Sequence, residues 1–212
     1  KAFGQFFTPR NLIQRIFELN QTLFPDMQPE NVYDPCAGTG GFLTEMIKNF
    51  NIDPENICGG EIEPDTYATG LMNLILATGT ICNLDNHDSL TENSIRQYDW
   101  IATNPPFGVK QKYTELIERG QGKPIKTKRK SQVSMEYFDM ADDMYPVKTN
   151  DGSALFLQHC ICKLATNGVC NIVLPDGQLM SGKSFKALRE YLIENCVIKA
   201  VLKVPSGAFE HA

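Results

Sequence analysis

Four consecutive residues of this sequence have types and an order that could do chemistry: Asn104, Pro105, Pro106 and Phe107. Two adjacent prolines hold the backbone extended and remove two N–H donors, so a carbonyl beside Asn104 can face a ligand without competition. The side-chain oxygen of Asn104 and the Pro105 carbonyl could both accept hydrogen bonds from one NH₂ group, and Phe107 offers a face for stacking a planar base or amide. Such contacts draw the nitrogen lone pair out of conjugation and orient it. The tetrad therefore predicts methyl transfer to an amino or amide nitrogen without a metal ion, with an ordinary turn as the alternative.

A glycine-rich turn precedes the tetrad, in the segment Asp-Pro-Cys-Ala-Gly-Thr-Gly-Gly-Phe at positions 34–42. Glycines permit a sharp turn and close approach to a ligand, and the following helix would present free N–H groups. The segment lacks the order of a dinucleotide or phosphate loop, although a nucleotide phosphate remains the alternative. An acidic residue before the glycines suits the ammonium and sulfonium of S-adenosylmethionine. The residues predicted to bind this cofactor here are Asp34, Gly38, Thr39, Gly40 and Gly41.

Polar residues also follow the next two predicted strands. Glu61 could accept hydrogen bonds from both hydroxyls of an adenosine ribose, and Ile62 could lie against the adenine. Asp88 could accept a hydrogen bond from the adenine amino group. The alternatives are a surface glutamate that opens a helix and an aspartate of an ordinary turn. Ligands of parallel sheets bind at the carboxyl ends of the strands, where all these residues are predicted to lie.

Apolar runs and helical periodicities alternate along the chain, which predicts an α/β fold with a mostly parallel sheet. Thr8 is a candidate cap and Pro9 a candidate first residue for the leading helix. Gly79 is expected to end the helix that contains Leu71 and Leu74. Asn167-Gly168 is expected to end a later helix, and Ser184 to cap the last one. Strands are predicted at 31–34, 57–62, 80–84 (continuing to His87-Asp88), 98–103, 169–174 and 197–202.

Residues 108–150 break this rhythm and are predicted to be an insertion or long loop. They contain a basic cluster followed by acidic residues. A solvated loop is one interpretation, and contact with DNA phosphates is the other. The cluster comprises Lys123, Lys126, Lys128, Arg129 and Lys130, and the acidic residues are Glu136, Asp139, Asp142 and Asp143.

The composition is that of an ordinary globular protein, with 42% hydrophobic and 21% charged residues and no apolar run long enough to span a bilayer. Seven cysteines without a CxxC pair favour buried, reduced thiols, as expected in the cytoplasm. The net charge of −5 does not indicate a protein that binds nucleic acid over its whole surface. If the substrate is DNA, the basic surface must be local or come from another subunit.

With these motifs in hand, the chain resembles the amino-group DNA methyltransferases, and more closely the modification (M) subunits of type I restriction-modification systems. The family pattern matches positions 34–42, 59–61 and 104–107 and begins with Gln-Phe-Phe-Thr-Pro at positions 5–9. This order is that of the gamma class. Segments 156–159, 172–177 and 205–209 are similar to further family segments whose chemistry the sequence does not explain. The resemblance implies that the first segment closes over the cofactor through Gln5, Phe6, Phe7, Thr8, Pro9 and Arg10.

The resemblance implies a Rossmann-like S-adenosylmethionine-dependent methyltransferase fold with helices on both faces of the sheet. It implies N6 of a flipped adenine in DNA as the substrate, the activity EC 2.1.1.72, and a prokaryotic cytoplasmic location. The implied partners are DNA, a specificity (S) subunit, a second M subunit and a restriction (R) subunit. Residues 1–212 are expected to be one catalytic domain of a longer chain. The seventh, antiparallel strand of the family sheet would follow Phe209, and both this strand and the helical N-terminal domain of the family are expected to lie outside these 212 residues.

Several alternatives stay open at this stage. The same tetrad serves cytosine N4, guanine N2 of ribosomal RNA and the side-chain amide of a protein glutamine. A single-chain enzyme with its own target domain is possible, as is a non-catalytic scaffold that uses the fold for assembly.

Overall fold

The computed structural model describes residues 7–120, 138–180 and 185–205 and contains a five-stranded sheet in which every pairing is parallel. The strand order is β3-β2-β1-β4-β5. This arrangement confirms the predicted α/β class. The strands are β1 (Val32–Asp34), β2 (Ile57–Glu61), β3 (Asn83–Asn86), β4 (Tyr98–Thr103) and β5 (Leu164–Ile172).

The centre of the sheet is where the chain changes direction. Val32 of β1 pairs with Ile57 of β2 on one side and with Trp100 of β4 on the other. After β1, the chain forms β2 and then β3 on one side of β1. It then crosses back, and β4 pairs with the other side of β1. The carboxyl ends of β1 and β4 therefore flank a topological switch point, where open parallel sheets bind their ligands.

Helices cover both faces of the sheet, as expected. The first three helices pack over one face and the fifth packs over the other, where the fourth helix is joined to the fifth through a cluster of buried side chains. Apolar residues at helical spacing account for the packing of the first two helices, each of which buries one stripe, whereas the fifth helix is buried on nearly all sides. The helices are α1 (Arg10–Leu23), α2 (Gly41–Asn49), α3 (Pro64–Thr78), α4 (Tyr113–Gly120), α5 (Gly152–Lys163), α6 (Asp176–Met180) and α7 (Lys186–Asn195).

Helix α1 is held on β4 and β5 by both apolar and polar contacts. The ring of Phe17 stacks on Trp100 with 5.5 Å between centroids. Asn171 of β5 accepts hydrogen bonds from the Asn20 side chain at 2.7 Å and from the Trp100 indole at 2.8 Å. A buried indole N–H needs such a partner. These contacts determine where the start of α1 lies relative to the end of β4.

The turn signal Asn167-Gly168 belongs to a different element from the one predicted. The helix α5 ends at Lys163, so Asn167-Gly168 does not end it. Those residues lie within β5, where Leu164 pairs with Tyr98 and the next paired residue is Val169. Asn167 has a φ of 64°, a left-handed conformation typical of turns. Residues 165–168 therefore loop out of the strand ladder.

The predicted strand at 197–202 is wrong. None of the described strands pairs with it, and its large apolar side chains are 48–77% exposed. An apolar run becomes a strand only when a neighbour supplies hydrogen bonds and covers it, and no described element does so here. The third strand was also misplaced, since it covers Asn83–Asn86 rather than beginning at Thr80 and continuing to His87-Asp88.

Of the two interpretations of segment 108–150, the solvated loop does not hold for its described parts. Leu116 of α4 is fully buried, as are Met140, Met144 and Tyr145 in and after a π-helical turn at Met140–Met144. Asp139 begins this turn by accepting hydrogen bonds from two backbone N–H groups, which gives one of the acidic residues a structural role. Positions 121–137, with the basic cluster and Glu136, lie outside the described residues, as does Ser184.

Candidate active site

The glycine turn and the end of β2 meet at the carboxyl edge of the sheet. Gly38 and Gly40 have positive φ values of 55° and 80°, which glycine adopts without strain. Gly40 precedes the first residue of α2, Gly41, so the helix N-terminus opens from the turn. The first N–H groups of a helix have no partner within it and are available to a ligand.

Glu61 ties the turn to β2. One carboxylate oxygen accepts a hydrogen bond from the Gly38 N–H at 2.9 Å, and the other accepts one from the Glu63 N–H at 2.8 Å. From α3, the Asn73 side chain donates to the Thr39 carbonyl at 2.9 Å. The side chain of Glu61 is 7% exposed. The structure thus brings Gly38, Thr39 and Glu61 together, as their predicted common role requires.

The outer side of the turn leaves room for a ligand. A Cβ added at Gly38 would meet only the Cys36 carbonyl, at 3.9 Å, among the described residues. On its inner side the turn is closely packed, because a Cβ at Gly70 of α3 would lie 2.6 Å from the Gly38 carbonyl. Open space, free helical N–H groups and nearby carboxylates fit an adenosyl cofactor that carries both a carboxylate and cationic groups.

Asp34 ends β1 beneath this turn. The residue is 1% exposed, and burial raises the pKa of its carboxyl to about 7, although hydrogen bonds such as the one from the Cys36 N–H at 3.0 Å oppose the shift. The charge of Glu61 raises this pKa further. A cation bound nearby would favour the ionised form of Asp34. The predicted contribution of Asp34 is therefore electrostatic and acts from below the turn.

Asn104 follows β4 on the other side of the switch point. Its Nδ2 donates a hydrogen bond to Thr8 Oγ1 at 3.0 Å, while its Oδ1 is buried without a hydrogen-bond partner among the described residues. A buried acceptor without a donor is costly, so this oxygen is a candidate for binding a ligand NH₂ group. The Pro106 carbonyl accepts a hydrogen bond from Ser153 at 3.2 Å. That contact fixes the tetrad from α5.

The start of the first helix differs from the predicted one, in which Thr8 is the cap and Pro9 the first helical residue. Helix α1 begins at Arg10, after Pro9 rather than at it, and no side chain caps it. Thr8 is therefore not a cap, because its hydroxyl accepts from Asn104 instead. Phe7 is 58% exposed. Gln5 and Phe6 lie outside the described residues, and the cofactor roles of all six residues stay predictions.

Asp88 and Ile62 lie at the same edge of the sheet, but Asp88 has polar partners and Ile62 is largely exposed. The Asp88 carboxylate accepts from the Leu90 N–H at 3.2 Å and forms an ion pair with Arg119 at 3.1 Å. Ile62 is 65% exposed, so an adenine ring could cover it. The Asp88 carboxylate keeps lone pairs for a further donor.

A buried network supports this edge and was missed by reasoning from the sequence. Both ring nitrogens of His159 contact tyrosine hydroxyls, that of Tyr33 at 3.2 Å and that of Tyr145 at 3.3 Å. Tyr145 donates its proton to the Leu90 carbonyl at 2.7 Å, so the network assigns a hydrogen to His159 Nδ1. Burial lowers the pKa of His159 to about 3, which keeps the ring neutral.

This network gives a structural reason for segment 156–159, whose chemistry the sequence did not explain. Gln158 bonds both backbone groups of Val147, accepting from the N–H at 2.8 Å and donating to the carbonyl at 3.0 Å. Together, Gln158 and His159 attach the end of segment 108–150 to α5. The sequence signal was the pair of polar residues in an apolar helix.

The parallel sheet and the position of these residues at its switch point define an α/β protein of the Rossmann-like class. A comparison with protein families gives the particular assignment, because residues 1–212 match the family N-6 DNA Methylase. The chain belongs to this family.

Curated relatives share the sequence at low identity over nearly all of this chain. It is 28% identical to the EcoKI methylase subunit of a type I restriction enzyme from Escherichia coli, over 97% of this chain and 38% of that protein. It is 27% identical to the type II methyltransferase M.VspI from a Vibrio species, over 93% of this chain and 43% of that protein. The chain thus spans about two fifths of the length of these relatives.

A solved structure gives the same picture. The crystal structure of the EcoKI M protein aligns with a TM-score of 0.57 at 26% identity, over 87% of this chain and 37% of that one. Among the described residues of the present chain, no helix is both long and apolar enough to cross a membrane.

Proposed function

We propose that this chain transfers a methyl group from S-adenosylmethionine to N6 of adenine in DNA, as the modification subunit of a type I restriction-modification complex. The observation that carries the proposal is the buried Oδ1 of Asn104, which has no donor among the described residues. It lies next to two prolines, at the switch point of a parallel sheet, in a chain of the N-6 DNA methylase family.

The chain's own residues would act mainly by orientation. An adenine amino group would donate its two hydrogens to Asn104 Oδ1 and to the Pro105 carbonyl, with the ring stacked on Phe107. Both contacts favour a tetrahedral nitrogen whose lone pair is directed away from the ring, and they are stronger as positive charge develops on it. The cofactor supplies a methyl group on a sulfonium centre. With the amino group held by Asn104 and Pro105, its nitrogen would take the methyl group while the sulfur leaves as a neutral thioether, and the methylated nitrogen would then lose one proton to solvent.

The cofactor would occupy the open side of the glycine turn. Glu61 would accept the ribose hydroxyls, the backbone from Gly38 to Gly41 would face the methionine part, and Asp34 would stabilise its positive charges. Ile62 and Asp88 would contact the adenine. Residues 5–10 would close over the cofactor, as the family resemblance implies.

The partners follow from the family resemblance and from charge. A net charge of −5 is unfavourable for unaided binding to duplex DNA, so a specificity subunit would read the sequence and present the flipped adenine. A second modification subunit and a restriction subunit complete the proposed cytoplasmic assembly. A second candidate is a single-chain methyltransferase with its own target domain, and the similarity to a protein named as a type II methyltransferase is the observation that favours it.

Product analysis tests the proposal directly. The full-length protein, with any subunits that co-purify, is incubated with unmethylated DNA and S-adenosylmethionine, and the digested nucleosides are measured by mass spectrometry. We expect N6-methyladenine. N4-methylcytosine instead would contradict the proposed base, and calorimetry without any binding heat for S-adenosylmethionine would support a non-catalytic scaffold.

The variant Asn104→Ala tests the role of the tetrad. We expect methyl transfer to be abolished while the affinity for S-adenosylmethionine, measured by calorimetry, stays within several-fold, because Asn104 acts on the amino group. Loss of cofactor binding together with activity would contradict this role.

A further inference from the structure

The side-chain amide of Asn104 needs a contact that fixes its rotation. The terminal torsion of an asparagine is broad, so the backbone alone does not determine where the amide oxygen lies. An amino group can only donate hydrogens to its acceptors in this reaction. The Oδ1 end must therefore face the target, and the Nδ2 end must be held on the opposite side.

The structure shows what holds it. Nδ2 donates to the hydroxyl of Thr8 at 3.0 Å, while Oδ1 at the other end of the amide is buried and lacks a donor among the described residues. One hydrogen bond thus anchors the amide by its donor end. We propose that Thr8 is a positioning residue that orients Asn104 toward the target amino group, an inference that rests on the proposed function.

Thr8 can do this because its own position is fixed. Its neighbour Pro9 accepts hydrogen bonds from the N–H groups of Leu12 and Ile13, at 3.0 and 3.1 Å, which joins it to the first turn of α1. Helix α1 is in turn stacked through Phe17 on Trp100 of β4. The same strand that leads into Asn104 therefore also supports the helix that follows Thr8.

This role of the Thr8 hydroxyl is an alternative to the cofactor contact that the family resemblance implies for Thr8. A cofactor ligand would change binding, whereas an anchor for Asn104 would change the chemical step at saturating substrates. Thr8→Val keeps the shape of the side chain but removes the hydroxyl, and Thr8→Ser keeps the hydroxyl.

The experiment compares these variants in the full-length protein with its co-purified subunits. We expect Thr8→Val to lower kcat about 10-fold, the size of one lost neutral hydrogen bond, with the Kd for S-adenosylmethionine unchanged within about 3-fold. Thr8→Ser should restore most of kcat. The matched control is Thr22→Val. The hydroxyl of Thr22 donates a hydrogen bond to the Glu18 carbonyl on the exposed side of α1, so its removal should leave kcat unchanged.

Three results would overturn the role of Thr8: an unchanged kcat in Thr8→Val, a defect confined to cofactor affinity, or a serine variant as impaired as the valine one. If the wild-type protein methylates a different amino nitrogen, the proposed adenine specificity fails, but the ratio of kcat values still tests Thr8. A wild-type protein that transfers no methyl group would refute both proposals.

Discussion

Asp34 shows how a single residue can carry a charge that depends on its surroundings. Its carboxyl is almost completely buried, and burial raises its pKa to about 7. In the unfolded chain the group ionises near pH 4. Between these pH values the Asp34 carboxyl binds a proton in the folded protein but not in the unfolded chain. The contribution of Asp34 to the free energy of unfolding therefore falls as the pH rises from about 4 to about 7.

The same group should make cofactor affinity depend on pH. A bound cation favours the ionised carboxylate of Asp34. At pH 6 this carboxyl is mostly protonated, so binding of the cofactor must displace a proton and is weaker. Well above pH 7 the carboxyl is already ionised, and binding displaces no proton. We expect the affinity for S-adenosylmethionine to rise roughly 8-fold between pH 6 and pH 7.5, as follows from a pKa near 7. Calorimetry at several pH values measures this change. In Asp34→Asn the rise should vanish, and an equal rise in that variant would exclude Asp34 as its source.

At the scale of elements, the turn between β1 and α2 combines an unusual backbone with an open outer side. Gly38 and Gly79 both have positive φ, 55° and 77°, and a Cβ would meet nothing closer than 3.9 Å at either of them. Gly79 ends α3, as predicted, and this helix runs from the carboxyl edge of the sheet back to the opposite edge. The two glycines are therefore similar in conformation but differ in distance from the candidate site.

This pair gives a matched test of the turn. Gly38→Ala and Gly79→Ala should each lower the free energy of unfolding by about 1 kcal/mol, because alanine is strained at positive φ. Only Gly38→Ala should weaken binding of S-adenosylmethionine, by about 10-fold or more, since its methyl group would enter the proposed cofactor space. Thermal unfolding and calorimetry measure the two effects. Equal cofactor affinity in both variants would contradict the placement of the cofactor.

For the whole molecule, charge and length bear on how DNA is recognised. The net charge is −5, and the chain covers 38% of the EcoKI methylase subunit. We expect the full-length protein without partner subunits to bind duplex DNA weakly and without sequence preference. Adding the proposed specificity subunit should produce a sequence-selective shift in a gel assay. A selective shift by the protein alone would favour the single-chain alternative.

Local patterns were enough to predict much of this fold. The strand at 98–103, the helix that ends at Gly79 and the turn at 34–42 all depend on neighbouring residues, through periodicity and the conformational freedom of glycine. The strand predicted at 197–202 failed because its pairing depends on distant residues. The described parts of segment 108–150 differ in this respect: Tyr113, Leu116 and Ile117 have the local spacing of a short amphipathic helix, whereas the burial of Met144 depends on contact with distant residues.

The sequence by itself determined the parallel α/β class, the residue types of the tetrad and the glycine turn, because these features follow from local spacing and side-chain chemistry. Only the tertiary structure decided which of those residues touch. Thr8 meets Asn104 across 96 positions, Glu61 meets Gly38 across 23, and Tyr33 meets His159 across 126. Hydrogen bonds between such distant residues depend on how helices pack on the sheet, and no local pattern encodes that packing.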